Sequence, residues 1–394
     1  GARDMKIIPT KEQLGDTLQI KINQPTLSAL VQTVARAASL KDTLPALAGM
    51  MLEAKDGILT AQATDLEIGI IAITYPHGLC GDGKALVNAQ YFANLVKNIP
   101  EGEVEISLNG EKNQLTVKYG KSKANVTLLD HEEYINWPIN EATTLFTCEN
   151  QQLRDALANT VIACAKNHFK PVFNGVLLDI NENTVDVVAS DTHRLAAYQF
   201  PIEGGKPAQK IIPYRAVREI IRLVSEPGKV TVATTGNSIV VNNGNTTLTC
   251  IEIEGQYPNW RGIIPTNFAL EAKVQRESLL DSLKRLSVIP VDANKIPVTR
   301  LGFAQERQFN TQGTLTLSGK SDKTGEIQEV VDVELVIGGT TQTTVNTNYL
   351  REFVQTAKGQ EVLVYMQESN TLPLLLKDAS VDGYKYVLVP LRTG

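Results

Sequence analysis

Aromatic residues make up only 6% of this 394-residue chain. With no Gly/aromatic motif to interleave them, that scarcity argues against a platform for stacking single-stranded bases. Histidine is scarcer still. His77, His131, His168 and His193 are the full set, and none falls in H-E-x-x-H or a comparable constellation. Cys80, Cys148, Cys164 and Cys250 are scattered, with no C-x-x-C pair. This argues against a disulfide or zinc framework and reads as buried free thiols in a reducing compartment. No apolar run approaches the roughly 18 residues of a membrane helix. A signal-peptide pattern is lacking too; Gly1 to Asp4 read as a non-native leader before a natural start at Met5. The expected setting is the cytoplasm, away from membranes. No G-x-S-x-G, Walker or G-x-G-x-x-G motif occurs, and Gly204-Gly205 and Gly338-Gly339 read as turn glycines. No catalytic residue, metal or cofactor is assigned.

What the chain does have is a repeat. Pro45 precedes Asp65 by 20 residues and Pro171 precedes Asp191 by the same 20, while Pro45, Pro171 and Pro297 are each 126 residues apart. The text around these anchors is related: Leu59-Thr60-Ala61-Gln62-Ala63-Thr64-Asp65 against Val185-Asp186-Val187-Val188-Ala189-Ser190-Asp191. Leu315-Thr316-Leu317-Ser318-Gly319-Lys320-Ser321 is a weaker third copy, delayed by four residues. A period far above that of solenoid repeats makes each copy a domain with its own core. Hydrophobic residues at 42% and charged residues at 21% supply ample material for three cores.

Apolar spacing predicts two amphipathic helices per copy. The first helices fall at 26–41, 149–168 and 276–289, and the second at 88–98, 213–226 and 347–358. Asn88, Pro213 and Asn346 mark the starts of the second set. Between them lie β-patterned runs with turn signals, such as Val104–Leu108 and Leu115–Tyr119 around Asn109-Gly110, and Ser238–Val241 and Thr246–Ile253 around 242–245. Helix, strands, helix, strands within each copy means α+β domains rather than a parallel βαβ sheet. Tyr134-Ile135-Asn136-Trp137 and Tyr257-Pro258-Asn259-Trp260 lie 123 residues apart and mark copy ends, placing domains at 5–142, 143–266 and 267–394.

The net charge of −5 does not suggest a nucleic-acid binder until it is located. Over the six expected helices it is +2, +1, 0, +1, +1 and +1 in chain order, together +6, which leaves −11 for the rest. Helices sharing one face of an assembly would make that face mildly cationic, suited to a phosphate backbone without sequence readout. Thr64-Asp65-Leu66-Glu67 and Ser190-Asp191-Thr192-His193-Arg194 could in principle hold an ion, since residues i and i+2 share a strand face. Each copy supplies only two ligands, however, and the third has Ser321, so turn-stabilising carboxylates are the expectation. The terminal Tyr386-Val387-Leu388-Val389-Pro390-Leu391-Arg392 reads either as a core strand or as the wall of an exposed apolar groove.

Ala189-Ser190-Asp191-Thr192-His193-Arg194-Leu195-Ala196 resembles the A-T-D-G-H-R-L-A segment of the bacterial DNA polymerase III β subunit family, the sliding clamps. So do Thr43-Leu44-Pro45-Ala46-Leu47, Phe173-Asn174-Gly175-Val176-Leu177-Leu178, Ile211-Ile212-Pro213, Tyr257-Pro258-Asn259-Trp260-Arg261 and Val389-Pro390-Leu391-Arg392. The resemblance runs from Met5 to Arg392. It implies the DNA clamp fold, with three similar two-helix, antiparallel-sheet domains per chain and a head-to-tail homodimer closing a six-domain ring around double-stranded DNA. It implies a processivity factor that slides without sequence specificity and is not an enzyme, tethering polymerases and the clamp loader through short motifs, typically a Gln followed by apolar residues.

By the same resemblance the motif pocket is lined by Thr192, His193, Arg194, Leu195, Pro258, Ile263, Val387, Val389, Pro390 and Leu391. Phe173, Asn346, Tyr349 and Pro373 form the adjoining groove. Lys41, His168, Lys170 and Arg215 match DNA-facing positions, and the dimer contact pairs Lys118–Leu128 with Ile289–Phe303 of the other chain. Two departures stand out: Thr192 where the family often has Gly, and Gly262 where many members have a second Arg. A metal-dependent nuclease or phosphotransferase built on Asp65, Glu67 and Asp191, and a scaffold that binds only protein, are the rival readings.

Overall fold

The computed structural model describes residues 18–40, 44–135, 141–292, 295–306 and 310–392. Lys41, Thr43 and the Asn136-Trp137 half of the first copy-end motif lie outside these, as do Met5 and part of the stretch 289–303.

One strand-and-helix plan is drawn three times. The first copy runs Gln19–Asn23, helix α1 (Gln24–Ala35), strands Gly49–Lys55, Ile58–Thr64 and Ile68–Thr74, then Gly83–Asn88 paired back on Gly49–Lys55. Helix α2 (Ala89–Asn98) follows, then the meander Glu103–Asn109, Gln114–Tyr119 and Ser122–Thr127. The second copy repeats the order: Thr143–Glu149, α3 (Asn150–Thr160), Gly175–Ile180, Thr184–Ser190, Arg194–Pro201, Ala208–Pro213, α4 (Tyr214–Leu223), Lys229–Thr235, Ser238–Asn242 and Thr246–Ile251. The third gives Leu270–Gln275, α5 (Arg276–Leu286), Val298–Gln305, Gln312–Ser321, Gly325–Ile337, Thr341–Asn346, α6 (Thr347–Thr356), Glu361–Met366, Leu374–Asp378 and Tyr384–Leu388.

By contacts the described residues form two compact units, those up to 150 with 222–252, and 151–221 with those from 253 on. The first unit holds a five-stranded and an eight-stranded antiparallel sheet. In the eight-stranded sheet Thr246–Ile251 pairs with Ile68–Thr74, joining the last meander of copy two to the strands of copy one. The second unit holds a twelve-stranded sheet, in which Tyr384–Leu388 pairs in the same way with Arg194–Pro201.

The helices form for the reasons their spacing predicts. Leu27, Leu30, Val31 and Val34 of α1, and Leu279, Leu283 and Leu286 of α5, are all 6% exposed or less. Each buried Leu or Val contributes about 1.5–3 kcal/mol of hydrophobic stabilisation. Asn88 and Asn346 cap their helices, Asn88 Oδ1 accepting from Tyr91 N and Asn346 Oδ1 from Asn348 N and Tyr349 N. In the first unit Gln24, Gln32 and Gln90 donate side-chain hydrogen bonds to Val96 O, Ala93 O and Ala35 O, stitching α1 to α2.

Five of the six expected helices run too long at their C-terminal ends, while the one expected at 88–98 ends at Asn98 as read. α1 stops at Ala35 rather than 41, and α3 stops at Thr160 before a 3-10 turn at Val161–Ala163. Ala37, Ala38 and Cys164 are buried from turns or extended backbone, so apolar spacing outlasts the helix itself. The charge balance shifts accordingly. Arg36 and Lys358 fall past the ends of α1 and α6, and the helical excess of cations concentrates on α4, with Arg215, Arg218 and Arg222 against Glu219. The first hairpin also turns later than Asn109-Gly110, at 110–113, where Asn113 takes φ +50°. The terminal strand ends at Leu388, and residues 389–392 continue without strand pairing.

Candidate functional site

In the second unit a cleft of about 170 Å³ opens beside the turn between Thr184–Ser190 and Arg194–Pro201. Phe173, Leu195, Tyr257, Pro258, Trp260, Ile263, Val387 and Val389 give it apolar walls, and Ser190, Thr192 and Arg194 supply polar groups. Its floor is continuous with a buried cluster that includes Val172, Phe173, Leu177, Val188, Leu195, Tyr257, Trp260 and Val387. A preformed apolar cleft with a few polar groups, too small for a large cofactor, suits the side chains of a short apolar peptide.

The turn is built by its own side chains. Asp191 Oδ1 accepts from His193 N at 2.9 Å and Arg194 N at 3.1 Å, while Ser190 Oγ accepts from Thr192 N at 3.1 Å and donates to Arg194 O at 2.7 Å. This wraps the backbone so tightly that Thr192 takes φ +77°, where a β-branched residue is strained. A glycine would sit there without that cost. Asp65 plays the identical part in copy one, Oδ1 accepting from Glu67 N at 3.0 Å and Ile68 N at 2.9 Å, with Leu66 at φ +75°. The expectation of turn-stabilising carboxylates matches these bonds. No group of three or more metal-ligating side chains is found among the described residues.

Arg194 ties this wall to α6. Its Nε donates to Asp191 Oδ2 at 3.1 Å, its Nη1 donates to Glu352 Oε2 and to Tyr386 OH at 3.3 Å, and its guanidinium lies 3.8 Å from the ring centre of Tyr349. Tyr386 OH in turn donates to Tyr349 O at 2.9 Å. Burial opposes the Arg194 charge, but the hydrogen bonds to Tyr386 and Glu352 more than restore it, so the group is held charged. On the far wall Arg261 stacks 4.2 Å over Trp260 and donates at 2.8 Å to both Asp179 Oδ2 and Asp186 Oδ2. Burial raises the Asp186 carboxyl above its ordinary value, while Gln199 and Arg261 pull it back. Burial also pushes the Cys164 thiol up to about 12, so it is no nucleophile at neutral pH.

Of the residues expected in the motif pocket and its groove, Phe173, Thr192, Arg194, Leu195, Pro258, Ile263, Val387 and Val389 line the cleft. His193, Asn346, Tyr349, Pro373, Pro390 and Leu391 do not. His193 and Val389 share a backbone hydrogen bond, Leu391 N donates to Thr344 O, and Asn346 is 8% exposed as a helix cap. Tyr349 stands behind Arg194, and Pro373 O accepts from Gln367 Nε2. Ser190, Tyr257 and Trp260 line the cleft without having been expected there. The signal was present, since the Tyr257–Trp260 motif reads as a copy end and its aromatics could have been followed into a wall.

Of the expected DNA-facing residues, Lys41 lies outside the described set. His168 stacks on Phe169 at 4.5 Å, and its Nδ1 accepts from Lys170 N. Phe169 is 83% exposed, with Lys170 at 5.9 Å from its ring centre. At the start of α4, beside Arg215, Tyr214 carries Lys166 at 5.4 Å and Arg218 at 5.9 Å over its ring. No helix among the described residues is long and apolar enough to cross a membrane.

Residues 18–138, 147–259 and 261–392 match the family models of the DNA polymerase III beta subunit, N-terminal, central and C-terminal domains. Among curated relatives, a protein of Pseudomonas putida named beta sliding clamp is 25% identical over 380 residues, 95% of this chain and 100% of that protein. A Staphylococcus aureus protein of the same name is 25% identical over 368 residues, 91% of this chain and 95% of its own length. The crystal structure of the Pseudomonas aeruginosa sliding clamp bound to griselimycin superposes with a TM-score of 0.87 at 23% identity, covering 95% of this chain and 100% of that one. The Thermotoga maritima DNA polymerase III beta subunit gives 0.85 at 24%, over 96% and 100%. The fold is the same.

Proposed function

Because the chain belongs to the DNA polymerase III beta subunit family, we propose that it works as a sliding clamp: a head-to-tail homodimeric ring around duplex DNA that tethers polymerases and the clamp loader. The observation that carries the reading is the strand-and-helix plan drawn three times. It supports clamp domains at 5–142, 143–266 and 267–394, and two chains would bring six of them.

The repeat logic supports the closure. Within one chain, the last meander strand of copy two pairs with the third sheet strand of copy one, and copy three pairs with copy two in the same way. The last meander strand of copy one, Ser122–Thr127, is a sheet edge among the described residues. Its counterpart on the partner would be the third sheet strand of copy three, at the part of Gly325–Ile337 before Val333 that is paired on one side only, rather than the stretch 289–303 expected from the resemblance. Near that strand's sheet lie exposed Val288, Val291, Ile296, Val298 and Val330, an apolar surface for the partner to cover. A heterologous contact repeated once closes a ring.

DNA is assigned to the surface holding Lys166, His168, Lys170, Arg215 and Arg218, whose cations suit non-specific contacts to the phosphate backbone. The cleft takes the Gln-led apolar motifs of polymerases and loader subunits. The engagement of Asp65 and Asp191 in turn hydrogen bonds favours this non-catalytic reading over the metal-nuclease one. The test is retention on nicked circular DNA after loading by a bacterial clamp loader. Rapid loss on linearisation is expected; equal retention on circle and line would overturn the ring.

A further inference from the structure

We propose that Arg261 is a positioning residue of the cleft: its side chain sets where the far wall rests on the sheet, and thereby how tightly an apolar peptide seats against Trp260. The proposal rests on the reading of the cleft as a peptide site.

The wall needs such a device. Tyr257, Pro258, Trp260 and Ile263 are four of the residues that line the cleft, and they come from a stretch that has left the sheet. The strand Thr246–Ile251 ends before it, residues 252–260 belong to no strand or helix, and Arg261–Ile263 is a single 3-10 turn. The hydrogen bonds of that turn are long, Ile263 N donating to Trp260 O at 3.2 Å and Gly262 N to Asn259 Oδ1 at 3.4 Å. The Trp260 indole is 6% exposed, and its Nε1–H has no acceptor among the described residues. Apolar contact is non-directional, so packing alone does not decide where the ring comes to rest.

The sheet beneath carries a pattern of two rows. Residues i and i+2 of a strand share a face. Leu177, Val188 and Ala197 stand in register across Gly175–Ile180, Thr184–Ser190 and Arg194–Pro201, and one step along the same face stand Asp179, Asp186 and Gln199. Trp260 packs into the buried cluster that holds the apolar row. The next residue meets the acidic row: Arg261 Nη1 donates to Asp179 Oδ2 and Nη2 to Asp186 Oδ2, both at 2.8 Å, while Gln199 Nε2 donates to Asp186 Oδ1 at 2.9 Å. The guanidinium carbon lies 4.2 Å from the Trp260 ring centre.

Like charges directly opposite on neighbouring strands are destabilising, and both of these carboxylates are buried. A planar, forked cation satisfies the two together and lays its flat face on the indole. Arg261 thus engages the acidic row and pins the ring over the apolar row, while standing outside the cleft lining itself. Lysine would supply the same charge without the fork or the plane, which separates neutralising the acid pair from positioning the wall.

The experiment uses the full chain with Trp137→Phe, which leaves Trp260 as the one indole, and fluorescein-labelled Gln-Leu-Ala-Leu-Phe read by anisotropy. Arg261→Lys keeps a cation beside the acid pair. Asp179→Asn combined with Asp186→Asn removes the repulsion along with the anchor. Melting temperatures are therefore expected to stay close to that of the parent. Peptide binding is expected to weaken about fivefold in each variant, the loss that a partly desolvated cation–π contact supports. Without peptide, Trp260 emission should shift to the red and become more open to acrylamide, which a salt bridge with no positioning role would not change. Joining all three substitutions should add nothing further, because they break one clip. Parent-like peptide binding in both variants overturns the proposal. Weaker binding with a lower melting temperature and unchanged Trp260 emission overturns it equally, as the mark of general destabilisation. Failure of the parent to bind the peptide sinks the cleft reading instead, and the emission of peptide-free Arg261→Lys still decides whether Arg261 positions the ring.

Discussion

The backbone N–H of Val389 donates to the carbonyl of His193 at 3.0 Å, so the end of the chain is bound to a turn almost 200 residues earlier. This bond places Val389, 37% exposed, at the mouth of the cleft beside Thr192. Val389→Asp puts a charge on that apolar wall without disturbing the core beneath it. Binding of a Gln-led apolar peptide is expected to weaken by tenfold or more, about 1.4 kcal/mol, with an unchanged melting temperature. Anisotropy and calorimetry on the same preparation check both halves.

Thr192 at φ +77° is held against its own preference by Ser190 and Asp191. A left-handed L-residue costs about 1–2 kcal/mol, and glycine's extra unfolded-state entropy returns about 0.4–1 kcal/mol of that. Thr192→Gly is therefore expected to be neutral to about 1 kcal/mol more stable, whereas Asp191→Ala, which removes the carboxylate that ties the turn, destabilises. Denaturant midpoints of the two variants should move in opposite directions, or the first not at all. A large loss in Thr192→Gly would mean the turn is not the source of strain.

The wall and the turn differ in how far sequence reasoning could reach them. Asp191 and Asp65 were legible as turn formers because an Asx turn depends on neighbours within four residues. The helices were legible from their apolar faces, but not their ends, since Ala37, Ala38 and Cys164 are buried by tertiary packing after helical hydrogen bonding stops. Arg194 was legible as a motif residue, but not its partners. Glu352 and Tyr386 reach it from α6 and the terminal strand, through a pairing of strands that no local pattern encodes. Trp260 reads in the sequence only as punctuation, because its place in a wall depends on Arg261 reaching Asp179 and Asp186 across the sheet.

Arg194 is 8% exposed and meets Asp191, Glu352, Tyr386 and Tyr349 at once. Arg194→Ala strands the carboxylates and the ring, at an expected cost of about 3 kcal/mol for a broken buried pair. Arg194→Lys keeps the charge but loses the planar stack and the forked donors, so it should recover only part of that. A double-mutant cycle with Glu352→Gln, read by urea unfolding, should show clear coupling. Additivity would mean that Glu352 contributes through solvent alone.

Cations at the start of α4 and in the segment that follows α3 set the expected salt dependence. Lys170 and Arg215 are both exposed. If each neutralises one phosphate, replacing both with Ala lowers the slope of log affinity against log salt by about 1.8 for duplex DNA. Polymerase-motif binding should be untouched. An unchanged slope would move the DNA path to another face.

Asp378 offers a test of acid stability. Burial would raise its carboxyl, but Ser380 Oγ and the backbone N–H groups of Lys358, Ser380 and Gly359 outweigh that and hold it below the ordinary range. A folded-state value below the unfolded one means the carboxylate's contribution is complete above the unfolded pKa, near 3.9. It is then lost as pH falls through the lower folded value. Asp378→Asn keeps one acceptor oxygen and removes the charge, so it is expected to cost about 1–3 kcal/mol at pH 7. The gap between variant and wild type should shrink as the pH drops below 4 and the wild-type carboxylate protonates. Urea unfolding at pH 7 and pH 3 measures the difference directly, and a gap that widened on acidification would show the carboxyl to be held above its ordinary range instead.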